Sequence, residues 1–233
     1  MKSNVFITGV SSGLGLALAE EYVNLGWSVY GVSRRKCPLP EVNWGATDLS
    51  QEESILEVLT TLIPREVKFD LVVLNAGRLG PIADLHTVGL NELKLSMDVN
   101  LWSNKLIIDK LFENTHGVKQ VVAISSGASV SGNRGWNGYA LSKASLNMLM
   151  KLYAEEFNES HFCAFAPGLI DTAMQDQICS MTEINKFNSV GRIQGARGTE
   201  TMPTPQVLAK SLPVVFNELK NYPSGAFVDI RKM

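Results

Sequence analysis

The sequence predicts an α/β protein, a single-domain doubly wound parallel sheet of about seven strands flanked by helices. Short apolar, β-branched runs recur without polar alternation, as expected of strands covered on both faces. Stretches with helical spacing lie between them. Strands that alternate with helices pair in parallel, because parallel neighbours need crossover connections.

Taken in order, the first run is N-V-F-I-T-G at 4–9, followed by a helix over 14–25 with Leu14, Leu18, Tyr22 and Leu25 on one side. The second strand is S-V-Y-G-V-S at 28–33, and a weaker one falls around 42–47. A helix over 52–63 carries Ile55, Leu56, Leu59 and Leu62. L-V-V-L-N-A-G (71–77) and Q-V-V-A-I-S-S (120–126) are further strands, separated by a long helix over 90–112. The helix over 139–157 is apolar around much of its circumference, which implies burial against a partner as well as the sheet. F-C-A-F-A-P-G (162–168) and A-F-V-D-I (226–230) complete the strands. No internal repeat, low-complexity tract or linker divides residues 1–233. Residues 173–204, with Met174, Met181, Met202 and glycines at 191, 195 and 198, suit a mobile lid that excludes water on closure. A loop without catalytic role is the alternative.

A chain of 233 residues, 45% hydrophobic and 19% charged, accommodates one domain with a large core. Its formal charge of -2 provides no basic footprint for nucleic acid or an anionic membrane. Cys37, Cys163 and Cys179 lack CxxC spacing and read as free thiols in a reducing cytoplasm. His86, His116 and His161 are scattered, so no metal site is expected. The apolar run at the N-terminus is too short for a signal-peptide core, and no stretch reaches membrane-spanning length, so a cytoplasmic location is expected.

The turn T-G-V-S-S-G-L-G at 8–15 joins the first strand to the first helix. Gly9 permits a tight turn, Gly13 a close backbone approach to a pyrophosphate, and Gly15 close helix–strand packing. The helix N-terminus supplies N–H groups and a positive dipole end for phosphate. Glycines serving turn geometry alone are the bland reading, but the place in the first strand–turn–helix unit favours a dinucleotide in a Rossmann-type fold. An NAD site would put an acid about 20 residues beyond the glycines. Here stand Ser33, Arg34 and Arg35, whose guanidinium groups suit a 2′-phosphate, so NADP(H) is expected. Two solvated arginines are the alternative.

Tyr139 and Lys143, four positions apart on a helix, share a face. An ammonium beside a phenol would favour the phenolate and lower a pKa that is ordinarily about 10. Together, the glycine turn, N-A-G (75–77), I-S-S (124–126), Y-A-L-S-K (139–143) and P-G (167–168) resemble the short-chain dehydrogenase/reductase family. The resemblance implies that Tyr139 is the proton donor in carbonyl reduction and that Ser126 binds the substrate oxygen. It implies too that Lys143 holds the nicotinamide ribose and that Asn100 organises a proton-relaying water. Each residue has a structural rival: core aromatic, solvated lysine, strand-end cap, buried amide.

The same resemblance implies cofactor contacts at Gly9, Ser11, Ser12, Gly13, Leu14 and Gly15 in the turn, and at Ser33, Arg34 and Arg35 after the second strand. It adds Asp48 and Leu49 for adenine, Asn75, Ala76 and Gly77 beside the ribose, and Tyr139, Lys143, Pro167, Gly168, Ile170 and Thr172 around the nicotinamide. An Asp-Leu-Ser run is also a helix cap, which is the other reading of Asp48. Ser12 stands where related NADP enzymes often carry arginine, leaving Arg34 and Arg35 to hold the phosphate.

P-G-L-I-D-T-A-M-Q (167–175) and S-G-A-F-V-D-I (224–230) look like the segments of sepiapterin-reductase-like and benzil-reductase-like members of the family. This implies that Asp229 anchors a donor-rich ring, unless it merely ends the last strand. The function expected is an NADPH-dependent reductase of ketones or vicinal dicarbonyls. Its alternatives are a catalytically silent NADP(H)-binding regulator and a partner-binding domain. A homo-oligomer, dimer before tetramer, is expected from the apolar helices.

Overall fold

The structure, a computed structural model, describes residues 2–182 and 186–233. Among them, seven parallel strands form one sheet. These are β1 (Asn4–Thr8), β2 (Ser28–Ser33), β3 (Asn43–Ala46), β4 (Leu71–Leu74), β5 (Gln120–Ile124), β6 (His161–Ala166) and β7 (Ala226–Asp229). Their spatial order is β3-β2-β1-β4-β5-β6-β7, so the chain reverses direction of winding between β1 and β4. In doubly wound sheets the ligand crevice opens at that reversal, beyond the carboxyl ends of the strands.

The helices are α1 (Gly13–Asn24), α2 (Glu52–Leu62), α3 (Leu90–Met97), α4 (Ser103–Asn114), α5 (Ala128–Ser131), α6 (Asn137–Glu156), α7 (Ala173–Cys179), α8 (Asn188–Ala196) and α9 (Pro205–Glu218). Successive strand residues face opposite cores. Val5, Ile7, Val73 and Val122 pack with Leu18 and Tyr22 of α1 and Leu212 and Phe216 of α9. Phe6, Val72, Leu74 and Val121 pack with Ile55 and Leu59 of α2, Ile107 and Leu111 of α4 and Leu146 and Met150 of α6. Both faces are therefore apolar, which explains the unbroken hydrophobic runs. Each fully buried Leu, Ile or Phe contributes roughly 1.5–3 kcal/mol. Edge strand β3 is only partly covered, and its sequence signal is correspondingly weak.

Two regions differ from the expected pattern. The helix expected over 90–112 is interrupted at Asp98–Trp102 by a π turn, in which the backbone hydrogen bonds widen to i→i+5. The stretch at 173–204 contains α7 and α8 and a third apolar cluster: Ile178, Phe187, Val190, Ile193 and Met202 pack with Leu79 and Trp136. Trp136 Nε1 also donates to Ser189 Oγ at 2.8 Å. Residues 183–185 of the expected lid lie outside the described residues. Among the described residues no helix is long and apolar enough to cross a membrane.

Candidate active site

The glycine turn owes its shape to its glycine backbone and to two side chains, Thr8 and Asn75. The buried Thr8 hydroxyl accepts N–H bonds from Asn75 and Ala76, each 2.9 Å, and Asn75 Nδ2 donates to the Thr8 carbonyl at 2.9 Å. One threonine thus joins the end of β1 to the loop after β4. Gly9 has φ +82°, a conformation strained for any side chain, and its N–H donates to Val32 at 2.7 Å. A β-carbon on Gly15 would lie 2.3 Å from the Gly9 carbonyl oxygen. The first helix can begin against the turn only because that position is bare. Ser12 precedes α1 without a side-chain cap bond, leaving the first N–H groups of the helix open, the arrangement an anion could use. Ser11 lies in the turn, and Leu14 is buried in the core, so that only its main chain could serve a ligand.

Arg34 and Arg35 are exposed after β2. Arg35 Nη2 donates to Ser12 Oγ at 3.0 Å, so a guanidinium reaches the glycine turn at the residue where the sequence appeared to lack a cation. The Ser33 hydroxyl is spent on structure, donating to the Arg35 carbonyl at 2.7 Å and accepting from Trp44 Nε1 at 2.8 Å. Asp48 Oδ1 accepts from Ser50 N and Oγ, both at 2.9 Å. Its carboxyl is held below the usual range, first by the Ser50 N–H and also by Arg34. Leu49 is buried at the margin of the core.

On the other side of the reversal, Asn75, Ala76 and Gly77 leave β4, and Gly77 meets the π turn at Asn100. Asn100 there is fully buried. Its Oδ1 accepts the Arg78 N–H at 2.8 Å, and its Nδ2 donates to the Arg78 carbonyl and the Ser142 hydroxyl, each 2.9 Å. The Asn100 carbonyl accepts Asn104 Nδ2 at 2.8 Å. A β-carbon on Gly77 would stand 3.2 Å from Asn100 Oδ1 and 3.5 Å from Lys143 Nζ.

Ser126, just past β5, is held by its surroundings. Its hydroxyl accepts the Ala128 N–H at 3.1 Å, and its carbonyl accepts the Ser129 hydroxyl at 2.6 Å. Asn147 of α6 braces the segment, accepting from Ser125 Oγ at 2.6 Å and donating to Ser129 Oγ at 2.9 Å. Tyr139 and Lys143 project from the first turns of α6. The expected ammonium–phenol pairing takes another form. Lys143 Nζ lies 5.9 Å from the Tyr139 ring centroid and donates to the Ile124 carbonyl at 2.6 Å. The last carbonyl of β5 has captured the ammonium. Burial raises the Tyr139 pKa, with Ser126 acting in the opposite direction, and lowers that of Lys143 to about 8.

Beyond β6 come Pro167 and Gly168, the latter at φ +81°, then the buried Ile170. The Thr172 methyl lies 3.5 Å from where a Gly13 β-carbon would be, so this segment closes over the glycine turn. Asp229 ends β7 opposite Ala166, and both its carboxylate oxygens accept from Arg231. Among the described residues no three His, Cys, Asp or Glu side chains gather as metal ligands.

The arrangement brings a glycine turn with open N–H groups, a phenol, a hydroxyl and a buried ammonium to the carboxyl ends of strands on the two sides of the reversal. Thr8, Ser125, Ser142, Asn147 and Asn104 support it and were missed from the sequence. Only Thr8 carried a signal, as the residue before Gly9.

A family model described as short chain dehydrogenase matches residues 3–183. The chain is similar to benzil reductase ((S)-benzoin forming) of Bacillus subtilis, 29% identical over 97% of each chain. It is 31% identical to an uncharacterized oxidoreductase of Schizosaccharomyces pombe, covering 97% of this chain and 95% of that one. Sepiapterin reductase of Rattus norvegicus is 29% identical, over 96% and 94%. The crystal structure of the KRED1-Pglu enzyme shares the fold, with a TM-score of 0.86 at 24% identity over 97% of this chain and 100% of that one.

Proposed function

The chain belongs to the short-chain dehydrogenase family and is an oxidoreductase, and from that premise we propose that it is an NADPH-dependent reductase of ketones or vicinal dicarbonyls with Tyr139 as proton donor. The observation that carries the reading is the meeting of Ser126, Tyr139 and Lys143 at the carboxyl end of β5, in the crevice opened by the glycine turn. The bare Gly15 contact, the uncapped start of α1 and the Arg35–Ser12 bond fit a dinucleotide with a 2′-phosphate. That cofactor supplies hydride.

Reduction leaves charge on the carbonyl oxygen, which needs donors and a proton. Burial raises the Tyr139 pKa and so keeps the phenol protonated, and the charge of the neighbouring Lys143 works against that rise and makes the phenol a better donor. Ser126 orients the substrate oxygen toward the phenol. Lys143, still charged near neutrality, stabilises the phenolate left behind. Asn100 holds the Gly77 and Arg78 loop against α6 through its amide, and its carbonyl faces the buried Asn104. The remaining contacts proposed for the cofactor are Gly9, Ser11, Gly13, Arg34, Asp48, Asn75, Ala76, Pro167, Gly168, Ile170 and Thr172. The described residues of the stretch 173–204, with α7 and α8, cover the substrate, and the chain acts as one cytoplasmic nucleotide-binding domain.

We also propose a homodimer. Leu141, Met148 and Leu152 form an exposed stripe on α6, with Trp102 exposed at the end of the π turn, apolar surface suited to a second copy.

The test is Tyr139→Phe with 1-phenyl-1,2-propanedione as substrate, following NADPH absorbance. The expected loss in kcat is about 10²–10⁴-fold, with NADPH affinity nearly intact. Undiminished turnover would remove Tyr139 as the acid.

A further inference from the structure

The sequence expectation for Asp229 was a carboxylate that accepts hydrogen bonds from a donor-rich ring. Its surroundings assign that carboxylate elsewhere. Asp229 is 7% exposed. Its Oδ1 accepts the Arg231 main-chain N–H at 3.1 Å and Nε at 2.8 Å, and its Oδ2 accepts Nη2 at 2.5 Å. The pair is bidentate, so the guanidinium plane is fixed. Five N–H groups belong to a guanidinium, and this clamp engages two, leaving three free. The Arg231 side chain is 57% exposed while that of Asp229 is 6% exposed.

An independent observation places the guanidinium. Arg231 Nη2 lies 3.0 Å from the position a β-carbon would occupy on Gly127. Gly127 has φ -56° and ψ -22°, a conformation open to any residue. The place a side chain would take there is occupied by the Arg231 guanidinium. Gly127 directly follows Ser126, so Nη2, which keeps one N–H beyond the Asp229 bond, stands beside the residue next to the hydroxyl proposed to meet the substrate oxygen.

We infer that Arg231, aimed by Asp229 across Gly127, is a specificity-determining residue that donates hydrogen bonds to a second, acceptor-only oxygen beside the reacting carbonyl. This rests on the reductase reading and names its substrate class: a vicinal dicarbonyl or a 2-oxo acid. A donor-rich ring would meet donors here and leave polar groups unpaired, which disfavours it.

The experiment measures kcat and KM with NADPH for 1-phenyl-1,2-propanedione, phenylglyoxylate, acetophenone and sepiapterin, using the full chain, Arg231→Ala and Arg231→Lys. Wild type is expected to prefer the first two. Arg231→Ala lowers the kcat/KM ratio of dione over acetophenone by about tenfold or more, mainly through KM. Arg231→Lys restores phenylglyoxylate, which accepts a point charge, more than it restores the dione. An equal loss on acetophenone and dione would reduce Arg231 to a structural role, and a wild-type preference for sepiapterin would overturn the assignment. Calorimetric binding of phenylglyoxylate to Tyr139→Phe with NADPH, compared with the same variant carrying Arg231→Ala, gives a readout independent of turnover. About tenfold weaker binding supports Arg231 even if the proton-donor assignment fails. Equal affinity sinks the Arg231 assignment even if turnover is intact.

Discussion

The crevice has two ends built by different means. At the glycine turn, shape comes mostly from main chain, with Thr8 and Asn75 as braces: Gly9 at φ +82°, Gly15 against the Gly9 carbonyl, and the open N–H groups of α1. At the other end it comes from side chains supplied by separate segments: Ser126 after β5, Tyr139 from α6 and Arg231 after β7. Backbone geometry of this kind suits what every dinucleotide has in common. Side chains can be exchanged without disturbing the sheet, so the proposed function puts substrate choice there. The first end should resist substitution for steric reasons, and the second should alter its chemistry while the fold persists.

The most damaging change at the main-chain end is Gly15→Ala. A β-carbon 2.3 Å from a carbonyl oxygen cannot be accommodated without moving the helix. We expect a loss of about 3 kcal/mol in stability from overpacking, seen in urea unfolding, together with weakened NADPH binding. Stability within a few tenths of wild type would show that the turn is softer than its contacts imply.

Arg35→Asp sharpens the contrast, since it alters a side chain at the main-chain end. Hydrogen bonds to charged groups contribute about 1.5–3 kcal/mol, so the NADPH/NADH preference in kcat/KM should fall roughly thirtyfold. Arg34→Asp should move the same ratio in the same direction by less, because Arg34 is drawn toward Asp48 while Arg35 reaches Ser12. An unchanged ratio in both variants would leave the 2′-phosphate without its proposed partner.

The smallest effect concerns Lys143, whose pKa burial depresses from 10.5 to about 8. Below the folded value the ammonium is buried in the native state and solvated in the unfolded one. Between the two values the unfolded chain binds the extra proton, so unfolding free energy rises with pH. The gain from Lys143 should be about 1.5 kcal/mol between about pH 8 and 9.5, and Lys143→Met should lack it. Parallel stability profiles for the two proteins over that window would mean that the lysine is better solvated than its burial implies.

Much of the main-chain end was legible because its causes are local. Continuous apolar strands follow from helices on both faces, and glycines mark the positions where a side chain would collide. The spacing of Tyr139 and Lys143 on one helical face was equally readable, but the carbonyl that takes the ammonium belongs to Ile124 on another element. Arg231 gave no sign of lying beside Gly127, since that contact depends on β7 pairing with β6. Nor did composition distinguish Asn104 from any polar residue on a helix surface. In the fold it is buried, with Nδ2 on the Asn100 carbonyl and Oδ1 without a partner among the described residues.

The π turn at Asp98–Trp102 places one more residue in a coil than the regular helix holds. Each α-helical residue advances the screw by about 100°. That single surplus residue sets the angular phase of everything downstream, so Ile107, Ile108 and Leu111 point into the sheet while Trp102 stays outside. Excising one amino acid here would yield a straighter rod with ordinary bonding. The same excision would turn the interior residues of α4 toward solvent, which makes the irregularity a condition of the fold.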